Sequence, residues 1–542
     1  MMRSSFAVTV IAALSALTAP SLPADLWDDA RATAAEIDRV IGEAQRQAGL
    51  QPSPVADDAE FVRRASLDLT GRVPRAEVTE RFLASDDPGK RRLLIEWLMQ
   101  TPAHREGWST VWTLWLLGRE RDEQRVDRLA FREWVRDVVI AQNMPHDDFA
   151  REVLTATGRS DQVGATNYLL QFGRTPADAA GSISRNFLGE QIQCAQCHDH
   201  KTEPFTQQQF WEFVAFLEQT RARPIRGESG QPEAAELMDM PRGRPTRIPG
   251  TDTVVQPTFV DGTVYPRGRR VNLRGALASE ITNPANPAFA RATVNRLWAH
   301  FTGRGFVEPI DDFRPSNPAQ FPELLDFLAR DFQSHGFDRE HLIRSIMLSD
   351  TYQRSSSPTA QNASDERLYT HARLRPMTPE QLFWSLATVT GVDPAEAALR
   401  GRGPAMGLGG DRGRSLTPEE RLERMITQFV FQHSSDDEII ETTAFAGTIP
   451  LSLFRMNSPL VAQAIASRRG GLLAEVFERT TDPGQRADAL YLAVLSRFPA
   501  PEERQIAAEY LAMPGIAGAN ERTHAEDLLW ALLNSSEFLF NH

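Results

Sequence analysis

The chain has 542 residues, of which 41% are hydrophobic and 24% are charged, and its formal net charge is -13 at pH 7. This composition excludes a disordered protein, and the length exceeds what one hydrophobic core usually serves. Because nucleic-acid-binding proteins usually carry basic patches, the negative charge and the lack of a dense basic run exclude that class of partner. We therefore expect at least two folded domains.

Residues 1–24 have the features of a secretory signal peptide. Arg3 precedes an apolar stretch from Phe6 to about Ala19, and small residues and prolines follow. Cleavage after Ala24 predicts an exported protein of the periplasm or cell surface. The alternative is an uncleaved membrane anchor, although the stretch is shorter than the roughly 18 residues of a span. We expect no membrane span in the mature chain.

The rest of the chain has the periodicity of helices. Thr378 and Thr417 each precede a proline and stand three residues before Gln381 and Glu420, the pattern of a capped helix start. Strand-like alternation is scarce, which predicts a mainly α fold. Amphipathic stripes at helical spacing run through residues 25–50, 91–99, 131–141 and 149–155.

A stretch rich in proline, glycine and arginine, residues 221–270, divides the helical pattern. Residues 252–265 within it have the alternation of short strands, so the stretch predicts an irregular linker with at most a short β-hairpin. The predicted organisation is an N-terminal helical domain at 25–220 and a C-terminal helical domain at 271–542. Residues 400–415 are glycine-rich but lack a phosphate-binding signature, which favours a surface loop.

Both cysteines of the chain stand in one short motif, Cys194-Ala195-Gln196-Cys197-His198. Two cysteines at this spacing can reach both vinyl groups of a haem, and the following histidine can bind the iron. An exported protein is also in the compartment where such haems are attached. The motif therefore predicts covalent haem c on Cys194 and Cys197, with His198 as an axial ligand.

Three other interpretations of the motif stay open. His198 and His200 could join the cysteines as ligands of a zinc ion, although seven residues surround a tetrahedral metal poorly. Cys194 and Cys197 could also form a disulfide, or carry no cofactor at all. If haem is present, the sequence does not identify the second axial ligand. The candidates are Met99, Met144, His104, His146 and His300.

Aromatic residues follow the motif, and they could line a haem or simply belong to the core, which is the more common role. They are Phe205, Phe210, Trp211, Phe213 and Phe216. No nucleophile elbow, zinc-protease helix or dinucleotide-binding fingerprint occurs in the chain. The acidic pairs at 311–312 and 436–437 are typical of turns and helix starts rather than of acid-base catalysis.

The stretches "FVRRASLDLTGRVP" and "NFLGEQIQCAQCHDHKTEPFTQQQFWEFVAFL" resemble domain of unknown function 1549. The stretches "NPANPAFARATVNRLWAHFTGRGFVEPIDDFRPSNPAQFPELLDFLARDF" and "RLRPMTPEQLF" resemble its usual partner, domain of unknown function 1553. The resemblance implies an exported bacterial protein of the planctomycete type. Such proteins often carry cytochrome-like or carbohydrate-binding-like modules, and their activity is not established. The family signature falls on Cys194, Cys197, His198, Asp199 and His200, whereas Lys201 stands where many relatives have proline.

The sequence therefore predicts a c-type haem protein with an electron-transfer or redox role in the cell envelope and an unidentified redox partner. The alternative is a non-redox protein that binds an envelope component or polysaccharide and whose cysteines and histidines form a disulfide or metal site. An unrecognised hydrolase is a third, weaker alternative, so the sequence does not decide whether the protein is an enzyme.

Overall fold

Helices dominate the computed structural model of the protein, which confirms the expectation of a mainly α fold. The predicted signal peptide falls on residues outside those that the structure describes, apart from Ala24, and so does the glycine-rich stretch 400–415. None of the described helices is both long and apolar enough to cross a membrane. The structure describes residues 24–119, 126–173, 175–227, 230, 232–241, 243–268, 271–399, 416–433, 465, 471–514 and 520–542.

The helices of the first half begin close to where the periodicity places them. The π-helical turns Val135–Ile140 and Ser184–Leu188 continue α6 and α9, and Gly164–Thr166, Gln193–Gln196 and Ala215–Leu217 form 3-10 turns. The α-helices are α1 (Ala24–Gln47), α2 (Asp58–Thr70), α3 (Ala76–Ala84), α4 (Lys90–Met99), α5 (Pro102–Leu117), α6 (Arg128–Trp134), α7 (His146–Thr155), α8 (Asn167–Leu170), α9 (Pro176–Ile183) and α10 (Gln207–Val214).

The second half continues with helices that often start at a proline. Thr378 caps its helix as predicted, because its hydroxyl accepts the backbone N–H of Gln381 and the Gln381 side chain accepts the N–H of Thr378. The helices are α11 (Leu273–Ile281), α12 (Pro287–Thr302), α13 (Pro322–Ser334), α14 (Arg339–Leu348), α15 (Asp350–Gln353), α16 (Pro379–Thr390), α17 (Pro394–Leu399), α18 (Pro418–His433), α19 (Leu472–Arg479), α20 (Pro483–Leu495), α21 (Pro501–Leu511), α22 (Glu521–Leu533) and α23 (Ser536–Leu539).

Two small antiparallel sheets accompany the helices. The first has the order β1-β3-β2, with β1 at Gly158–Arg159, β2 at Thr220–Arg226 and β3 at Pro232–Asp239. The second pairs β4 (Arg375–Pro376) with β5 (Phe540–Asn541). The hairpin therefore lies before the expected position, because residues 252–265 take part only in isolated bridges. The three arginines and the proline of β2 obscure the alternation of apolar and polar residues that would predict a strand.

The largest hydrophobic core contains side chains from both sides of residues 221–270. It extends along the chain from Trp27 to Tyr369, and Leu237 and Phe259 of the predicted linker belong to it. A second core combines side chains between Met377 and Phe538 with Leu67 and Val73. The division into domains at 221–270 stays a prediction, but the apolar packing does not follow it.

Two buried arginines of α2 hold the end of the chain in place. Arg63 donates hydrogen bonds to the carbonyl oxygens of Val494 and Phe538, at 3.1 and 2.6 Å. Arg64 donates to the carbonyls of Tyr352 and His542, at 2.6 and 3.1 Å. Because buried carbonyl groups need hydrogen-bond donors, α2 stabilises the strand pair β4-β5 and its surroundings.

Candidate functional site

The cysteine motif follows the end of a helical segment. The sequence pattern predicts a helix over residues 177–193, but the helical segment ends at Leu188, and Gly189 follows in the left-handed region with φ of 72°. A Cβ at Gly189 would lie 2.6 Å from the ring of Phe313, so close packing as well as conformation requires glycine. The motif lies on the next 3-10 turn, Gln193–Gln196, and continues into the loop before α10.

Helix α10 holds this turn in place. Gln207 donates a side-chain hydrogen bond of 2.9 Å to the carbonyl of Cys197, and Trp211 donates its indole N–H to the carbonyl of Gln196 at 3.1 Å. In return, Asp199 accepts the backbone N–H of Gln207 at 2.8 Å, at the first turn of α10. The backbone of the motif is therefore fixed by a helix that contains neither methionine nor histidine.

The side chains of the turn alternate between the core and solvent. Ala195 and Ile192 are buried, with exposed fractions of 0% and 4%. Cys194 and Cys197 are both exposed and are free thiols. Both sulfur atoms can therefore be reached by a large group from solvent without opening the core.

His198 is exposed and has one ring nitrogen occupied. Its Nδ1 lies 2.7 Å from the carbonyl oxygen of Asp199. Since a carbonyl oxygen accepts only, Nδ1 carries the proton of the neutral ring and Nε2 keeps a free lone pair. A backbone carbonyl that holds Nδ1–H is the usual support of a metal-binding histidine.

His200 is half-buried and has the opposite tautomer. Its Nδ1 accepts the backbone N–H groups of Thr202 and Glu203, at 3.3 and 3.1 Å. The neutral ring therefore carries its proton on Nε2, so neither nitrogen offers a free lone pair. This arrangement favours His198 over His200 as a metal ligand, and the expectation of a metal on both histidines stays a prediction.

The aromatic residues after the motif belong mainly to the core. Phe210, Phe213 and Phe216 are buried, with exposed fractions of 0%, 1% and 0%. Phe205 and Trp211 are only half-buried, and they pack against the same core. Of the five side chains, these two are the ones with exposed surface that a haem bound at the motif could contact.

The five candidates for a second axial ligand lie on parts of the chain other than α9 and α10, the helices that pack against the motif turn. Burial lowers the pKa of His104 to about 4, and its Nδ1 already lies 2.8 Å from the carbonyl of Leu69. His300 similarly approaches the carbonyl of Asp68 at 3.2 Å. Four of the candidates are buried, Met99, His104, His146 and His300, and Met144 is half-buried.

The sequence does not predict the environments of two carboxyl groups near the motif. Glu190 is largely buried, and this burial raises the pKa of its carboxyl group to about 7. Asp311 accepts hydrogen bonds from Gln191 at 2.7 Å and lies 3.4 Å from Arg185, so it connects the motif segment with the loop after α12. Asp311 is the first residue of the acidic pair at 311–312, whereas the pair at 436–437 lies outside the described residues.

The chain was compared with families, curated proteins and solved structures. Residues 36–222 match a family described as protein of unknown function DUF1549, and residues 273–511 match a family described as protein of unknown function DUF1553. No curated protein and no solved structure matches the chain. The chain therefore joins a DUF1549 region, which contains the cysteine motif, to a DUF1553 region.

Proposed function

We propose that the protein is an exported c-type haem protein with an electron-transfer or redox role in the cell envelope. Cys194 and Cys197 would hold the haem covalently, and Nε2 of His198 would bind its iron. The observation that carries this proposal is the arrangement of the motif: both thiols are exposed on one fixed turn, and the adjacent imidazole keeps Nε2 free. Export rests on the predicted signal peptide.

Attachment would need only the two thiols of the motif and the two vinyl groups of the haem. Each thiol would add across one vinyl group, so that sulfur bonds to the carbon next to the ring and the thiol hydrogen goes to the terminal carbon. No atom is lost and no oxidant is consumed. Bound haem supplies one-electron exchange between ferrous and ferric iron.

The residues around the motif position these groups. Gln207 and Trp211 hold the carbonyls of the turn, and the carbonyl of Asp199 orients the imidazole of His198. Because Cys194 and Cys197 are exposed, a haem attached there keeps an edge at the surface, which suits electron exchange with a partner protein.

Paired histidine variants test the proposal. The protein is expressed for export with and without a cytochrome c maturation system, and covalent haem is measured by its absorption after denaturation. We expect haem only with the maturation system, and none in Cys194→Ala/Cys197→Ala. His198→Ala should lose or strongly alter the haem spectrum, whereas His200→Ala should keep it, because the two side chains stand two residues apart in opposite tautomers.

A colourless protein under all these conditions would contradict the proposal. If its two thiols were linked or bound to a metal, the non-redox alternative would replace it. Equal effects of His198→Ala and His200→Ala would also contradict the ligand assignment, because only His198 has a free lone pair on Nε2.

A further inference from the structure

A second group of metal-binding side chains lies away from the cysteine motif, where α13 meets α14. Asp331 and His335 stand four residues apart at the end of α13, so they share one face. His341 lies in the first turn of α14 and is buried, with an exposed fraction of 2%. Among the described residues, this is the group of three whose potential ligand atoms all lie within 4.8 Å of one another.

Hydrogen bonds determine which ring nitrogens of this group keep a lone pair. Nε2 of His341 lies 2.8 Å from Oδ2 of Asp331. Nδ1 of His335 lies 2.8 Å from the backbone carbonyl of Asp331, so it carries the proton and leaves Nε2 with a free lone pair. From α1, Oδ2 of Asp29 approaches this Nε2 to 3.8 Å.

We propose that Asp331, His335 and His341 bind one Zn²⁺ ion, and that Asp29 occupies the fourth position. Neighbouring ligand atoms in a tetrahedral zinc site with bonds near 2.0–2.1 Å lie about 3.3 Å apart. The separations of 2.8 and 3.8 Å fall on either side of this value, so these two pairs of atoms already lie near the spacing that zinc requires. Two carboxylates balance the charge of the ion, and two imidazoles with two carboxylates form a ligand set that zinc accepts.

Binding requires one ring to turn. The imidazoles of His335 and His341 are stacked, with centroids 3.7 Å apart and an interplanar angle of 15°. The ring lone pairs of two stacked imidazoles lie in parallel planes, so they cannot both point at one metal ion. His335, the more exposed of the two, therefore turns out of the stack. The ion takes the place of the proton on Nε2 of His341, and that same proton moves to Nδ1 of the ring. That atom is buried without a hydrogen-bond partner already, so no hydrogen bond is lost there.

The consequence of the site is a connection between helices. Asp29 belongs to α1, which packs against both α13 and α14. A metal bound by all four side chains therefore holds the first turns of α1 against the α13–α14 pair. This proposal does not depend on the proposed haem function, because the two sites share no residue.

The test uses the whole chain with Cys194→Ala and Cys197→Ala, so that the cysteine motif supplies no thiolate ligands. ZnCl₂ is titrated against a chromophoric chelator, and bound zinc is counted after dialysis. We expect one equivalent of zinc. His335→Ala, a partly exposed position that can be changed without emptying the core, should weaken binding by at least about tenfold.

Matched variants separate this site from general histidine binding. His371→Ala removes a histidine outside the group and should leave the affinity unchanged, whereas Asp29→Asn should weaken it and should abolish the zinc-dependent protection of residues 24–35 from hydrogen exchange. Failure of the cysteine-free chain to bind zinc would overturn the proposal. Equal affinities of His335→Ala and the cysteine-free parent would overturn it as well, in each case without bearing on haem attachment.

Discussion

At the scale of single residues, the most unusual group near the motif is the carboxyl of Glu190. It stands four residues before Cys194, and no cation pairs with it among the described residues. Burial therefore opposes its negative charge and raises its pKa to about 7. The folded protein binds this proton more tightly than the unfolded chain, so the group's contribution to stability is complete below the ordinary pKa of glutamate and is lost as the pH rises through 7.

The variant Glu190→Gln removes this dependence. At pH 8 the wild type keeps a charge in a largely buried position, so the variant should melt at a higher temperature, with a gain in stability on the order of 1–3 kcal/mol. At pH 5 the gain should be much smaller than at pH 8, because Glu190 is then protonated in the folded protein. Glu502→Gln makes the same charge change at an exposed position and should shift the melting temperature little at either pH. A gain that is equal at pH 5 and pH 8 would contradict the raised pKa.

Residue-scale chemistry in the motif could be predicted only in part. Cys194, Cys197 and His198 are recognisable because the motif depends on spacing along the chain. The tautomers of His198 and His200 depend instead on the carbonyl of Asp199 and on two backbone N–H groups, which come together only in the folded loop. For the same reason the group around His341 was missed, since it combines residues of two helices.

At the scale of secondary-structure elements, helix α2 contacts the last helices of the chain through a buried arginine. Arg63 is fully buried and donates to carbonyls near both α20 and α23. Burial lowers the pKa of its guanidinium group to about 10, which still leaves it charged at neutral pH. Its hydrogen bonds to the carbonyls therefore stabilise the contact between α2 and the last helices.

Arg63→Ala should destabilise the protein strongly. The change leaves the carbonyls of Val494 and Phe538 without their donor, at a cost of about 1–3 kcal/mol for each buried group. Thermal unfolding followed by circular dichroism measures the loss. Arg39→Ala, which removes an exposed arginine of α1 paired with Glu36, is the matched control and should leave the midpoint unchanged. Similar midpoints for the two variants would show that the buried hydrogen bonds contribute little.

Helices and strands were predictable where residues close together in the sequence determine them. The capping pattern at Thr378 is confirmed, and Thr417 and Glu420 likewise exchange hydrogen bonds at the start of α18. The sequence pattern predicts that the helical segment before the motif ends at residue 193, whereas it ends at Leu188. A single glycine is a weak stop signal when apolar residues continue after it. Strand β2 was missed because its pairing with β3, not its own pattern, makes it a strand.

At the scale of the whole molecule, the larger core crosses the boundary that composition suggests. Trp298 and Leu342 from beyond residue 270 are fully buried in the same core as Phe61 and Phe149. The boundary was predicted from a stretch rich in proline and glycine, but such a stretch does not show which helices pack together. The number of independently folding units therefore has to be measured.

A fragment of residues 25–270 provides that measurement. Without the later helices it exposes a large part of the core, so we expect no sharp thermal transition and strong binding of a hydrophobic dye. Residues 25–542, under the same conditions, should show a cooperative transition and little dye binding. A fragment that melts sharply with little dye binding would instead support a separate N-terminal domain.

The intact mass of the whole chain, expressed for export, tests the proposed covalent haem most directly. Cells with a cytochrome c maturation system express the protein beside an established c-type cytochrome that serves as the positive control. We expect the denatured chain to carry the mass of one haem and Cys194→Ala/Cys197→Ala to carry none. An unmodified wild-type mass, in cells where the control cytochrome has acquired its haem, would contradict it.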